Sequence, residues 1–355
     1  MTRRIMLAGG ALIASASLIA AGCGSSSSTD TAASGGADTA AAPSPEGAAI
    51  GSGATFPATA YTKWCQESAT CSYASKGSGA GIKDLTAGTV AWAGSDAPLD
   101  ADEQKAIGKT VYYFPTLLGA IAVPTNIDGV SKAINLTGPA LAGIFDGDIT
   151  KWNDPDITAS NPGVAMPDKP IAVCVRADSS GTSYNFTNYL SQVSTAFADK
   201  VGAGGSKTPT WTATVVSSPG NPGVAQCVTT NPNSIGYVDL AAAQQAGIAD
   251  KAAAIGTEGN FVSPTTESVS KAGDVGTIPD NLVVDVINSS VPGAYPITAT
   301  TWALAKDGAK DNAAVKKAIA YFLGSAAQGQ LAALGYSPLP AALNEAATKQ
   351  LAKLS

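Results

Sequence analysis

An α/β fold built on parallel strands is predicted from three observations. Short apolar strands alternate with Gly/Ser-rich turns and helical stretches along most of the chain, the rhythm that a parallel sheet requires. Hydrophobic residues make up 45% of the sequence and charged residues 14%, so the chain can bury a core. Its 355 residues leave room for two domains of ordinary size.

The first element stands outside the fold. Arg3 and Arg4 begin a positive leader, Ile5 to Ala21 is a short apolar run, and residues 1–22 read as a signal peptide. The pair Arg3-Arg4 leaves Sec and twin-arginine export both open. The run Ser17-Leu18-Ile19-Ala20-Ala21-Gly22 ends in small residues directly before Cys23, as in the lipobox of bacterial lipoproteins, although Ala20 stands where Leu is usual. Cys23 is therefore the expected lipid acceptor, with plain secretion as the alternative. Residues 23–47 are mostly Ser, Ala, Gly, Thr and Pro and read as a disordered tether. No later stretch reaches the ~18 apolar residues of a spanning helix. The expected location is the outer face of the cell membrane, held by the lipid alone.

The folded part opens with a strand at Ala48-Ala49-Ile50, which runs into Gly51-Ser52-Gly53-Ala54-Thr55-Phe56-Pro57. Pro57 suits the first turn of a helix, where a missing N–H costs nothing. Ala58 to Ser68 then carries Tyr61, Trp64 and Cys65 at helical spacing. Ser72 to Ser75 is a strand, Gly77-Ser78-Gly79-Ala80-Gly81 a turn, and Ile82 to Ala87 a helix. Val90 to Ala93 is a strand leading to Ser95-Asp96, and the apolar stretch Tyr112 to Val123 is expected to cross between domains. Leu136 to Trp152 contains a helix. Ile171 to Val175 is a β-branched strand that enters Arg176-Ala177-Asp178-Ser179-Ser180-Gly181-Thr182, with a helix over Ser183 to Val193. Ser234 to Val238 is a further strand, and Tyr295 to Ile297 with Thr301 to Ala305 make the return crossing. Helices over Ala313 to Leu334, broken near Gly324, and over Ala341 to Leu354 close the chain.

Composition narrows the chemistry. The net charge is −6 and no Lys/Arg cluster is present, so nucleic acid is not an expected partner. There is no histidine, which removes the imidazole base of the usual serine and cysteine hydrolases and the commonest zinc ligand. Binding without a metal or cofactor is expected, rather than catalysis. Beyond Cys23 four cysteines remain, an even number that suits disulfides in an exported protein. Three pairings are possible and the sequence does not choose among them. The favoured one is Cys65–Cys71, at a helix end and the turn after it, with Cys174–Cys227, tying a strand to a helix.

Three turns are candidates for holding an anion: Thr55-Phe56, Ser78, and Ser180-Gly181-Thr182, each just before a helix. Helix starts carry free N–H groups and partial positive charge. Glycine admits close backbone approach, and Ser or Thr adds a hydroxyl donor. Arg176 could supply a forked cationic donor, with Asp178 holding it. Each turn alone is ordinarily a structural cap; their conjunction points to an oxyanion.

The order of motifs resembles the phosphate-binding proteins of bacterial high-affinity phosphate ABC importers. Gly51 to Ala58 is similar to that family's opening motif, and Trp64 falls where the family has Lys-Trp. Lys76 to Gly81 is similar to its second Gly/Ser turn, and Ala93-Gly94-Ser95-Asp96-Ala97-Pro98-Leu99 to its Gly-Ala-Ser-Asp-Ala-Pro-Leu. Ile144 to Trp152 with Asn161-Pro162-Gly163, Val175 to Ser183, Ser234 to Asp239 and Tyr295 to Thr298 continue the series, covering residues 48–355. Gly79 and Ser179 depart from the pattern without removing a principal contact.

The resemblance implies a two-domain periplasmic-binding-protein fold of type II character, with the ligand in the interdomain cleft. Domain I would be 48–123 plus 291–355, and domain II 124–290. Phosphate would be held by Ala54, Thr55, Phe56, Ser78, Asp96, Arg176, Ser180, Gly181 and Thr182, with Asp178 in support. The implied partners are inorganic phosphate and the importer's membrane subunits, and a monomer is expected. Asp96 would accept the proton that phosphate still carries at neutral pH. Two other readings compete. One is a hydrolase using Ser180 or Ser78, which lacks a base or metal cluster. The other is a receptor for another oxyanion such as sulfate or molybdate, or a phosphate sensor; Asp96 opposes a fully deprotonated ligand.

Overall fold

A computed structural model describes residues 47–355. The expected signal peptide, Cys23 and all but the last residue of the tether lie outside the described residues. Strands β1 (Ala49–Gly53), β2 (Cys71–Ser75), β3 (Trp92–Ser95) and β4 (Val111–Ala122) begin the fold. Then follow β5 (Thr125–Asn126), β6 (Asn135–Thr137), β7 (Ala172–Arg176), β8 (Val215–Ser218) and β9 (Ser234–Gly236). The series ends with β10 (Val238–Asp239), β11 (Ala254–Thr257), β12 (Asn260–Val262) and β13 (Thr298–Lys306).

Two lobes are each built on their own sheet. In the first, the order is β10-β4-β13-β3-β1-β2. In the second it is β5-β9-β7-β8, beside a small sheet β12-β11-β6. The expectation of parallel strands holds where β1 pairs β2 and β3, and where β7 pairs β8 and β9. It does not hold at the crossings. The chain leaves the first lobe along β4 and returns along β13, so these long neighbours run antiparallel. The register shifts between Thr301 and Trp302, opposite Leu117 and Pro115, which leaves Thr116 as an extra residue. Pro115 has no N–H to give the ladder, and a bulge beside it is the ordinary accommodation.

Helix α1 (Ala58–Ser68) follows β1, α2 (Ser78–Ala87) follows β2, and α3 (Ala101–Ile107) follows β3. In the second lobe come α4 (Gly138–Asp146), α5 (Pro155–Thr158), α6 (Gly181–Val193), α7 (Thr195–Lys200) and α8 (Gly220–Thr230). Pro57 stands at the N-cap of α1. Two starts differ from the sequence reading: α2 begins at Ser78 and α6 at Gly181, inside the Gly/Ser turns. Small residues tolerate the helical first turn there, so the turns themselves become helix N-termini.

The predicted strand Ser234 to Val238 is split at Tyr237. Its first half joins the second sheet, while its last residue, Val238, and Asp239 beyond it pair with Ala122 and Ile121 of β4. Tyr237 is buried at this third crossing, stacked on Phe186 with ring centroids 4.3 Å apart. Buried Tyr61, Trp64, Tyr73, Trp92 and Phe322 pack as one aromatic cluster in the first lobe. Disulfides join Cys65 to Cys71 and Cys174 to Cys227, the pairing favoured among the three. The first ties the end of α1 to the start of β2, and the second ties β7 to α8.

Candidate functional site

The ends of β1, β3 and β7 and the starts of α1, α2, α6 and α8 meet at one buried place. Ligands in α/β proteins bind beyond the carboxyl ends of strands for this reason: helix N-termini collect there. Ala54 and Phe56 are fully buried. Their carbonyls accept the hydroxyls of Tyr73 at 2.8 Å and Tyr336 at 2.7 Å, which fixes the first turn.

Ser78, the first residue of α2, is buried between the lobes. Its Oγ accepts the Gly181 amide at 3.1 Å and the Asp96 amide at 3.3 Å. A Cβ on Gly181 would lie 2.5 Å from Ser78 Oγ and 2.7 Å from Asp96 Cβ, so only glycine permits this approach. Asn185 of α6 completes the join, donating to the carbonyls of Asp96 at 2.5 Å and Gly181 at 2.9 Å. Ser180 is the N-cap of α6, its Oγ accepting from the Ser183 amide. Its own amide donates to the Lys207 carbonyl, which leaves the hydroxyl proton as its free donor.

Arg176 ends β7 with its guanidinium almost wholly buried. Nε and Nη2 donate to the two Asp178 oxygens, and Nη1 donates to Thr182 Oγ1 at 3.2 Å and Asn221 Oδ1 at 3.4 Å. Burial would raise the Asp178 carboxyl. The Arg176 charge, its hydrogen bonds and the Gly220 amide outweigh that and hold it below the usual carboxylate range.

Asp96 lies opposite, 1% exposed, with Thr301 donating to Oδ1 at 2.6 Å and Ser78 Oγ 3.5 Å from Oδ2. Burial pushes its carboxyl up to about 7, against the Thr301 bond, the Arg176 charge and the Ser78 bond. Asp239 is also buried. Burial lifts it to about 7 despite the Ala242 amide it accepts, and the Asp96 charge adds to the rise.

The structure thus brings together Ala54, Thr55, Phe56, Ser78, Asp96, Arg176, Ser180, Gly181 and Thr182, with Asp178 behind Arg176. Cys23 is outside the described residues, and the other four cysteines are structural. Sequence reasoning missed Asn221, Asn185, Thr301 and Asp239. Gly220-Asn221-Pro222-Gly223 is a fourth Gly-rich helix start, the first turn of α8, and carried the same kind of signal as the other three. Thr301 had no local signal, and Asp239 closed the Ser234 to Asp239 motif without being marked as part of the site. They reach the site only because β13 and β10 join the first sheet. The arrangement suits a small oxyanion: hydroxyl donors, helix N-termini and one guanidinium, with one carboxyl facing them. Among the described residues no cluster of His, Cys, Asp or Glu could hold a metal ion.

Comparison with known proteins gives the same direction. The PBP superfamily domain model matches residues 32–326. The phosphate-binding protein PstS of Xylella fastidiosa is 39% identical over 304 residues, 82% of this chain and 81% of that protein. PstS of Haemophilus influenzae is 36% identical over 301 residues, covering 82% and 88%. Among solved structures, a high-affinity periplasmic phosphate-binding protein bound with phosphate, PfluDING, superposes with a TM-score of 0.70 at 24% identity, covering 84% and 92%. A phosphate-binding protein from Stenotrophomonas maltophilia gives 0.68 at 22% identity, covering 85% and 93%. At these identities the two structures speak to the fold, a two-domain periplasmic binding protein.

Proposed function

The chain belongs to the PBP superfamily and, within it, to the family of PstS phosphate-binding proteins, and we propose on that premise that it captures inorganic phosphate outside the cytoplasmic membrane and delivers it to an ABC importer. One observation carries the reading. Buried donors from both lobes, Ser78, Arg176, Ser180 and Thr182, surround a point that also faces the buried carboxyl of Asp96. Donors match the acceptor oxygens of phosphate, and Arg176 supplies the charge-assisted bonds.

Asp96 supplies selectivity. Both HPO₄²⁻ and H₂PO₄⁻ still carry a proton that a carboxylate can accept. Sulfate at neutral pH has none and would set two acceptors face to face. A site built around a required hydrogen bond rejects the ligand lacking it by ~10⁴-fold or more. On this reading domain I would span 48–123 plus 291–355 and domain II 124–290. β10 is a short return of the second segment into the first sheet. Cys23 would carry the lipid that keeps the protein at the outer membrane face; the remaining partners are the importer's membrane subunits. No helix among the described residues is long and apolar enough to cross a membrane. We read the function as binding rather than hydrolysis: the chain has no histidine, the carboxyl near Ser78 Oγ is Asp96 at 3.5 Å, which this reading gives to the ligand's proton, and Ser180 Oγ caps α6.

The test is equilibrium dialysis of the purified chain against labelled phosphate, with Arg176→Ala as control. The parent should retain phosphate. The variant should lose ~30-fold or more in affinity, the usual cost of deleting a buried charged partner. A parent that retains no phosphate, or a variant that binds as tightly, would overturn the proposal.

A further inference from the structure

Asn221 is fully buried at the second position of α8 and is used at three points at once. Its backbone N–H donates to Thr55 Oγ1 of the other lobe at 3.1 Å. Its side chain touches two groups of its own lobe. Oδ1 accepts from Arg176 Nη1 at 3.4 Å, and Nδ2 donates to Thr182 Oγ1 at 3.2 Å.

The orientation of this amide follows from chemistry. Guanidinium nitrogens donate and never accept. Turning the Asn221 amide over would set Nδ2 against Arg176 Nη1, donor against donor. Arg176 therefore holds Oδ1 toward itself and sends Nδ2 toward Thr182. A threonine hydroxyl has one proton and two acceptor sites. Thr182 Oγ1 already accepts from Arg176 Nη1 at 3.2 Å, and Asn221 Nδ2 takes the second site. The hydroxyl proton is then left with no role except to donate.

We infer that Asn221 is a positioning residue that fixes the polarity of the anion site: it makes Thr182 a permanent donor, keeps the Arg176 fork in place and holds Thr55 across the lobes. This rests on the reading of the site as a phosphate site. It assigns the donor pattern to a relay that starts at Asp178, passes through Arg176 and Asn221, and ends at the Thr182 proton. A merely space-filling asparagine would be replaced equally well by any residue of its shape.

Asn221→Asp separates the two. The carboxylate keeps the shape and the acceptor for Arg176, but it has no N–H for Thr182 and accepts the Thr182 proton instead. Protonation of that carboxyl gives back one donor. Calorimetric phosphate titrations at pH 8 and pH 5 on the parent, Asn221→Asp, Asn221→Ala, Thr182→Val and the Asn221→Ala/Thr182→Val double variant make the test. Ligand-free melting checks each fold. Asn221→Asp should bind ~100-fold more weakly than the parent at pH 8, and the gap should narrow at pH 5. Asn221→Ala should cost ~10-fold in the parent and clearly less once Thr182 is valine, the non-additivity of groups acting together. Additive effects in the cycle, together with a pH-independent gap for Asn221→Asp, would overturn the inference while leaving phosphate binding intact. A parent that bound no phosphate at either pH would remove the functional reading itself, and this one with it.

Discussion

Asp96 and Asp239 are buried carboxyls whose ionisation opposes the fold, and this has a measurable consequence. Each rises from an ordinary 3.8 to about 7 through burial, and the Asp96 charge adds to the rise at Asp239. Between those values the native state holds more protons than the unfolded chain, so stability falls as pH rises. The contribution is fully favourable below about pH 4 and is lost as pH passes through about 7. Asp178 acts in the opposite sense, because its carboxyl is held below 3.8 and its contribution is lost only in stronger acid. The ligand-free melting temperature should therefore decline from pH 5 to pH 8. Asp239→Asn, which can still accept the Ala242 amide as a helix cap, should flatten the decline. A profile that rises over this range, or a variant with the parent's slope, would refute the assignment. At this scale the sequence was informative at Ser78 and Thr182, which lie in Gly/Ser-rich helix starts, and the same kind of signal at Asn221 went unread. Nothing local marked Thr301, whose hydroxyl meets Asp96 from 205 residues away.

Helices and strands were legible in their interiors and less so at their ends. The helix Ala58–Ser68 was read at its observed limits, because Tyr61 and Trp64 give a clear buried stripe and Cys65 turns with them. The starts of α2 and α6 were placed too late, since glycine and serine carry no periodic signal. The antiparallel centre of the first sheet was missed for another reason: it follows from the direction of two chain crossings, which no local pattern encodes. Helix α3 carries a consequence of its own. Asp100 and Glu103 form its capping box, and both also meet the Lys207 ammonium of the second lobe, Asp100 at 3.6 Å. The Lys207 carbonyl meanwhile accepts the Ser180 amide. One residue thus links lobe closure to the anion turn. Lys207→Ala should speed phosphate release by ~3–10-fold, within the range of partly exposed ion pairs, and should make release less sensitive to salt. Stopped-flow displacement reads both. An unchanged rate and salt slope would mean the ion pairs do not hold the lobes together.

The whole molecule explains why the site is divided between distant stretches of sequence. The first lobe brings the starts of α1 and α2 with Asp96, the second brings Arg176 and the start of α6, and closure joins them through Ser78 and Gly181. Neither lobe alone presents both a cation and the opposing acid. The family resemblance made this legible, because a series of motifs in order stands for a fold that periodicity alone describes only as α/β. The parts it did not reach are Asn221, Asn185 and the pairing of β10 with the first sheet. On the proposed reading closure sets Asp96 against the ligand, and recognition of a proton on phosphate would be a property of the closed molecule. The most direct measurement is a pair of calorimetric titrations, with phosphate and with sulfate, on the parent and on Asp96→Asn at pH 8, where phosphate is still protonated and sulfate is not. If Asp96 reads that proton, the parent takes phosphate and holds sulfate ~10⁴-fold more weakly, while Asp96→Asn keeps part of its phosphate affinity and admits sulfate. An Asp96→Asn protein that binds phosphate like the parent and still excludes sulfate would contradict it.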